Sequence, residues 1–262
     1  MFCTESSRRK WNSVSLPLLA LILSASVSIS CGRVSRDGSD AGASANPRPA
    51  ASAPATASVP APAPAAAVAA ARPRVVVLGD SLTAGLGLAP GDAYPALLQK
   101  KIDSAGLGFE VVNAGVSGDT SAGGVRRLDW SLDGDVRILI LELGANDGLR
   151  GLSVKDMVAN LSTIIERARA RNIAVLLCGM EAPPNFGAAY IREFHLAYPA
   201  LAKKYQLPFV PFLLTGVAGT TEFNQSDGIH PNIEGARKVA DTVWVALAPM
   251  LAEAASRTRG TS

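Results

Sequence analysis

Five short apolar runs, 74–78, 109–113, 136–142, 173–178 and 208–212, are rich in Val, Ile and Leu and show little polar alternation. A strand with one wet face alternates. A strand covered on both faces does not, and that pattern belongs to parallel sheets. Segments with helical spacing lie between the runs. In 153–171, Val154, Met157, Val158, Leu161, Ile164, Ile165 and Ala168 recur at three- and four-residue intervals. Ser153 is placed to cap that helix, and Asp156 lies near the positive end of its dipole. A last helix over about 233–248 carries Ile233, Ala236, Ala240, Val243 and Leu247 on one face, and helical patterns also fit 94–104, 121–129 and 188–204. Strand and helix in alternation predict a doubly wound α/β domain over 74–255, built on a five-stranded parallel sheet. Right-handed crossovers then put functional groups at the carboxyl ends of the strands.

The first 73 residues do not fit that pattern. Arg8, Arg9 and Lys10 precede an apolar stretch from Leu16 to Leu23 and then small residues up to Cys31. This is the order of a secretory signal over 1–30, and the apolar part is shorter than the ~18–20 residues a membrane span needs. Ser28-Ile29-Ser30-Cys31-Gly32 resembles a bacterial lipobox, with Ser28 where Leu is usual. Lipidation of Cys31 is the expected outcome; plain cleavage would instead release a periplasmic or secreted form. Residues 31–73 are almost all Ala, Pro, Ser and Gly, without an apolar period, and read as a disordered linker. A short tail, 256–262, reads the same way. The expected location is outside the cytoplasm of a bacterium, in the periplasm and tethered to a membrane.

Charge and cysteine content exclude other classes. The net charge is +3, and +1 once residues 1–30 are set aside, which leaves no electrostatic footprint for nucleic acid. Cys3 and Cys31 lie in the signal region, and Cys178 reads as a small buried residue on a strand. There is no disulfide framework and no Cys/His spacing of a metal site.

The chemistry narrows to a few residues. GDSLTAG, 79–85, follows the first apolar run, so Ser81 falls at a strand's carboxyl end. The segment lacks the spacing of a phosphate loop or a dinucleotide fingerprint. Thr83 stands where the Gly-x-Ser-x-Gly elbow requires glycine. A serine hydroxyl is a poor nucleophile without a base. The sequence has two histidines. His195 lies in a helical pattern beside Phe194 and Leu196, which suits a helix-surface or core-edge role. His230 lies in a loop three residues after Asp227, so one turn brings carboxylate to imidazole. Such an Asp fixes the tautomer and leaves the other ring nitrogen free for a hydroxyl proton. Backbone N–H groups of Ser81 and Gly118 and the side chain of Asn146 are candidate donors to an oxyanion. Singly, each residue has an ordinary explanation, since glycines turn chains and Asn and Asp cap them. Asp80 and Asp147 flank the site, with turn and supporting roles expected.

Taken in order, GDSLTAG, VVNAGVSGDTSAGG (111–124), ILELGANDGLRG (140–151) and DGIHPN (227–232) resemble the SGNH, or GDSL, hydrolases. The resemblance is closest to the bacterial arylesterase and thioesterase I/lysophospholipase branch and spans 74–251. It implies a flavodoxin-like three-layer α/β/α sandwich and no metal or organic cofactor. It implies Ser81 as nucleophile, His230 as base, Asp227 as the residue orienting it, and Ser81, Gly118 and Asn146 as oxyanion hole. The expected activity is hydrolysis of carboxylic esters or acyl thioesters, on small or lipid-like substrates, through an acyl-enzyme. Deacetylation of an envelope polysaccharide and a non-catalytic binding module are the alternatives. Glu181 stands where the branch usually has an apolar residue. The acyl site is expected to be open and apolar, built from loops near 84–88, 117–122, 149–152 and 181–187.

Overall fold

The computed structural model describes residues 72–259. The signal segment, Cys31 and nearly all of the Ala/Pro stretch lie outside the described residues. In chain order the elements are β1 (Arg74–Gly79), α1 (Ser81–Ala84), α2 (Tyr94–Ser104), β2 (Glu110–Gly115), α3 (Ser121–Ser131) and β3 (Val136–Glu142). Then come α4 (Ala145–Leu149), α5 (Val154–Ala170), β4 (Ala174–Cys178), α6 (Ala188–Tyr205), β5 (Phe209–Val210) and α7 (Ile233–Arg259). The strands pair in parallel in the order β2-β1-β3-β4-β5. This is the flavodoxin-like order, in which the chain steps outward from β1 to β2 and then back past β1 to β3. Right-handed crossovers put those two connections on opposite faces. Accordingly α2 packs with α7 on one face, while α3, α5 and α6 pack side by side on the other.

Burial explains the apolar runs. Val75 to Leu78 in β1 and Ile138 to Leu141 in β3 are buried, because both strands are central and covered above and below. Leu98 and Ile102 of α2 meet the core from one face with Val243 and Leu247 of α7; Leu161, Ile164 and Ile165 of α5 close it from the other. The Ser153 side chain accepts from the Asp156 N–H at 3.2 Å and so caps α5 as its sequence suggests.

Four expectations differ from the structure. The run 208–212 yields only the two residues of β5, because Pro208 and Pro211 on either side have no N–H for the ladder. β2 is an edge strand, and Glu110 to Asn113 are partly or fully exposed rather than covered on both faces. Ile233, placed on the buried face of the last helix, is instead exposed in its first turn. α7 also continues to Arg259, past residue 256 where a disordered tail was expected. Alanines at 252, 254 and 255 favour that extension, and Glu253 and Arg257 pair one turn apart at 2.5 Å. α1 and α4, of four and five residues, are too short to show a helical period and go unpredicted.

Ile140 lies at the centre of β3 with no exposed surface. Ile140→Ala is expected to lower unfolding free energy by about 2–5 kcal/mol, read from the urea midpoint at unchanged slope.

Candidate active site

The site begins where β1 ends. Asp80 is the N-cap of α1, its Oδ1 accepting from the Leu82 N–H at 3.0 Å, and Ser81 is the first helical residue. Gly79 has to be glycine: a Cβ there would lie 2.0 Å from Thr83 Oγ1 and 2.3 Å from Glu142 Oε2. Those two groups hold the turn from below. Glu142, the last residue of β3, accepts from the Asp80 N–H at 3.2 Å and from the Thr83 hydroxyl at 2.7 Å, and Thr83 lies 2.7 Å from the Tyr94 hydroxyl. Asp80, Thr83 and Glu142 have no exposed surface. Burial pushes the Glu142 carboxyl well above the usual carboxylate range and pushes Asp80 up to about 6.

The imidazole arrives from the far end of the chain. The loop before α7 is closed by an antiparallel bridge between Asn224 and Pro231 and by the Gln225 N–H, which donates to the His230 carbonyl at 2.7 Å. Gln225 Nε2 also donates to Leu86 O at 2.7 Å and Pro231 O at 2.9 Å, tying this loop to the segment after α1. Asp227 Oδ1 accepts from the N–H groups of Ile229 and His230, both at 3.0 Å, and Oδ2 lies 2.7 Å from His230 Nδ1. The hydrogen bonds from His230 backbone and ring, with that from Ile229, lower the Asp227 carboxyl to about 2. An ionised Asp227 makes Nδ1 the protonated nitrogen. The lone pair on Nε2 then faces Ser81 Oγ at 2.9 Å. Two residues 149 apart in sequence thus meet within hydrogen-bonding reach.

The expected oxyanion donors lie just beyond β1, β2 and β3: Ser81 opens α1, Gly118 lies in the loop before α3 and Asn146 lies in α4. Among the described residues no acceptor takes the N–H of Ser81 or of Gly118. Gly118 has φ +81°, a left-handed conformation that favours glycine, and Arg150 Nη2 holds its carbonyl at 2.7 Å. Asn146 Nδ2 donates to Asp80 Oδ2 at 3.1 Å, leaving its second amide hydrogen for another acceptor. Two further residues fix these loops: Arg127, which had no signal in sequence, and Asp147, whose supporting role was expected but whose partner was not. Arg127 reaches from α3 to Gly79 O (2.8 Å), Ala114 O (2.6 Å) and Asp119 Oδ2 (2.6 Å), pinning the ends of β1 and β2 and the Gly118 loop together. Asp147, beside Asn146, accepts from the Ser121 N–H and hydroxyl at 2.8 and 2.6 Å, and Asn160 donates to that hydroxyl at 3.0 Å.

Other singled-out residues fall elsewhere. Cys178 is a buried free thiol, and burial pushes its pKa upward. His195 lies on α6 and is exposed, at the helix surface rather than the core edge, with Nδ1 2.7 Å from Glu181 Oε1. The pair joins the loop after β4 to α6, a link with no sequence signal because the partners lie 14 residues apart in different elements. The enclosed space against Ser81, bounded by Leu82, Leu86, Tyr94, His230 and Pro231, is only about 10 Å³. Leu86, which lines this space, is exposed, and so are Leu149 and Leu152 after β3, Phe186 after β4 and Ile229 beside His230.

A parallel α/β sheet with a Ser–His–Asp relay at its switch point defines a class, the serine hydrolases of flavodoxin-like fold. Within it the chain belongs to the GDSL-like lipase/acylhydrolase family, whose family model matches residues 77–238. The chain is 42% identical over 178 residues to esterase TesA of Pseudomonas aeruginosa, covering 68% of this chain and 89% of that one. It is 39% identical over 178 residues to thioesterase 1/protease 1/lysophospholipase L1 of Escherichia coli K12, covering 68% and 84% respectively. Among solved structures it is similar to AlinE4, an SGNH-hydrolase family esterase, at 43% identity and a TM-score of 0.58, covering 68% of this chain and 96% of that one.

Glu142 yields a stability prediction. Its folded pKa is raised above the unfolded value of 4.5, so the folded state keeps a proton that the unfolded state loses. Stability is therefore largest below about pH 4.5 for this group and falls as pH rises towards the folded pKa. Glu142→Gln, which keeps the neutral shape, is expected to flatten that decline in urea titrations between pH 5 and 8. An unchanged slope would contradict a protonated Glu142.

Proposed function

We propose that this chain is a serine esterase that hydrolyses carboxylic esters and acyl thioesters through an acyl-enzyme on Ser81. The observation that carries the reading is the relay itself, with Ser81 Oγ 2.9 Å from His230 Nε2 and His230 Nδ1 2.7 Å from Asp227. Ser81 Oγ attacks the carbonyl carbon as His230 Nε2 takes its proton, and Asp227 stabilises the resulting imidazolium. The oxyanion forms against the Ser81 N–H, the Gly118 N–H and the Asn146 amide; one such donor is worth about 2.7–4 kcal/mol in the transition state. His230 then protonates the departing alcohol or thiol. A water, deprotonated by His230, attacks the acyl-enzyme and releases the acid. No step requires a metal or organic cofactor.

Exposed apolar side chains such as Leu86 and Ile229 support acyl chains as substrates, and the names of the relatives, esterase and thioesterase/lysophospholipase, support the same chemistry. The near-neutral charge supports a small or lipid-like substrate rather than nucleic acid. For the residues before the domain, the basic-apolar-small order of 1–30 supports export, Cys31 supports a lipid anchor, and 31–73 serves as the tether.

A nitrophenyl-ester series of increasing acyl length separates the readings. Turnover is expected from short to long chains, with Ser81→Ala losing roughly 10⁴–10⁶-fold and Asp227→Asn roughly 10³–10⁴-fold in kcat. Turnover limited to acetyl esters would indicate a deacetylase. Turnover no greater than that of Ser81→Ala would indicate a binding module. In cells, Cys31→Ala is expected to move the protein from the membrane to the soluble fraction, and continued sedimentation with membranes would reject the anchor.

A further inference from the structure

The Asp80 carboxyl is buried, and both its oxygens are engaged. Oδ1 caps α1 through the Leu82 N–H at 3.0 Å, and Oδ2 holds the Asn146 amide at 3.1 Å. We infer that Asp80 is a positioning residue for catalysis, aiming the Asn146 amide at the oxyanion and releasing it when the carboxyl takes up a proton. This rests on the esterase reading above. It goes beyond the turn-forming role the sequence suggests for Asp80, because the contact crosses from the loop after β1 to α4.

The geometry gives the contact its sense. An Asn side chain that donates one amide hydrogen to a carboxylate has its plane fixed, and the oxygen end cannot turn towards the substrate. An anionic acceptor also makes that bond stronger than a neutral one would. Protonation changes both points. The proton has to sit on one of two oxygens that already receive an N–H, so either the cap or the Asn146 contact weakens. The weakened amide can then rotate and present its oxygen, which repels a developing oxyanion.

The surroundings place this proton uptake in a working range. Burial raises Asp80 to about 6, against the lowering effect of the Leu82 and Asn146 hydrogen bonds. The charged and titratable groups facing it are Glu142 from β3, Tyr94 from α2, Tyr198 from α6, His230 from the loop before α7 and Asp119 from the loop before α3. Asp119 is itself paired with Arg127 of α3 at 2.6 Å. His230 favours the ionised Asp80 and Asp119 opposes it. Burial pushes the Glu142 carboxyl well above the usual carboxylate range, which favours its neutral form beside Asp80.

The test uses the whole chain, one neutral nitrophenyl ester, and kcat and KM from pH 4.5 to 9. Asp80→Asn, Asp80→Ser, Asn146→Ala and the Asp80→Asn/Asn146→Ala pair are compared, with melting curves to show that each folds. A Ser–His pair alone gives log kcat/KM an acid limb of unit slope. The wild-type protein is expected to approach a slope of two below pH 6, and Asp80→Asn to return to one. Asp80→Asn is expected to lower kcat roughly 10²–10³-fold, as for loss of an oxyanion donor, with KM little changed. Asp80→Ser keeps an N-cap acceptor too short to reach Asn146 and is expected to be as slow; wild-type activity in Asp80→Ser would reduce Asp80 to a helix cap and overturn the proposal. The pair is expected to match Asn146→Ala within about twofold, since both remove one function. Losses that multiply in the pair, or an unchanged acid limb in Asp80→Asn, also overturn it. An active Ser81→Ala would instead overturn the esterase reading, whatever the Asp80 variants do.

Discussion

Two neighbouring parallel strands, β1 and β3, send their chains to opposite faces of the sheet, and a crevice opens between their carboxyl ends. The rest of the site depends on how that crevice is braced. Nothing in a strand ladder holds the loops beyond it, so the bracing comes from side chains placed under them. Glu142 supports the turn after β1, Arg127 ties Gly79, Ala114 and Asp119 together, and Asp147 joins the Asn146 helix to the start of α3. Each contact bridges two loops, so the Ser81, Gly118 and Asn146 segments form one assembly resting on the core.

That bracing uses buried acids, which cost free energy unless they are hydrogen-bonded or neutral. The three are handled differently. Asp147 receives a backbone N–H and a hydroxyl, so each of its oxygens has a hydrogen-bond donor. Glu142, with Oε1 left unpartnered among the described residues, is pushed towards the neutral form. Asp80 keeps both oxygens hydrogen-bonded, and burial pushes its carboxyl up to about 6. Asp227 is the counter-case. It is partly exposed, receives two backbone N–H groups and the imidazole, and stays ionised. A carboxylate that orients a base has to remain charged while the imidazole gains and loses a proton. Asp227 meets that condition through local hydrogen bonds rather than burial.

Much of this was legible in sequence where the cause is local. The Val75–Leu78 run reads as a covered strand because β1 has neighbours on both sides and helices above and below. The α5 stripe and its Ser153 cap obey rules that span one or two turns. The Asp227–His230 pair is a single loop turn. What failed has long-range or very short-range causes. β5 shrank at its prolines, β2 lost a cover that only the sheet order could reveal, and α1 and α4 are shorter than any period. Arg127 sits beside Arg126, and nothing in the pair of adjacent arginines says which one turns inward. Gln225 reaches Leu86 across 139 residues, a contact no window of sequence contains.

The small enclosed space at the site bears on how binding and chemistry divide the work. Enclosed space of about 10 Å³ beside Ser81 holds a water at most, so the acyl chain of the proposed substrates would lie outside it. In the proposed reaction, contacts that an acyl chain makes with exposed side chains such as Leu149, Leu152 and Phe186 would be the same before and during attack, because the chain beyond the carbonyl does not change shape. Interactions equal in ground and transition state lower KM without raising kcat. Rate acceleration then falls on the few polar groups around the carbonyl, and these are the groups the buried network braces. On the proposed mechanism the demand for accuracy falls on Ser81, His230 and Asn146, where the polar contacts to the carbonyl would be made. That division explains why the contacts under the crevice are buried and interlocked while apolar side chains such as Leu149 and Leu152 are exposed.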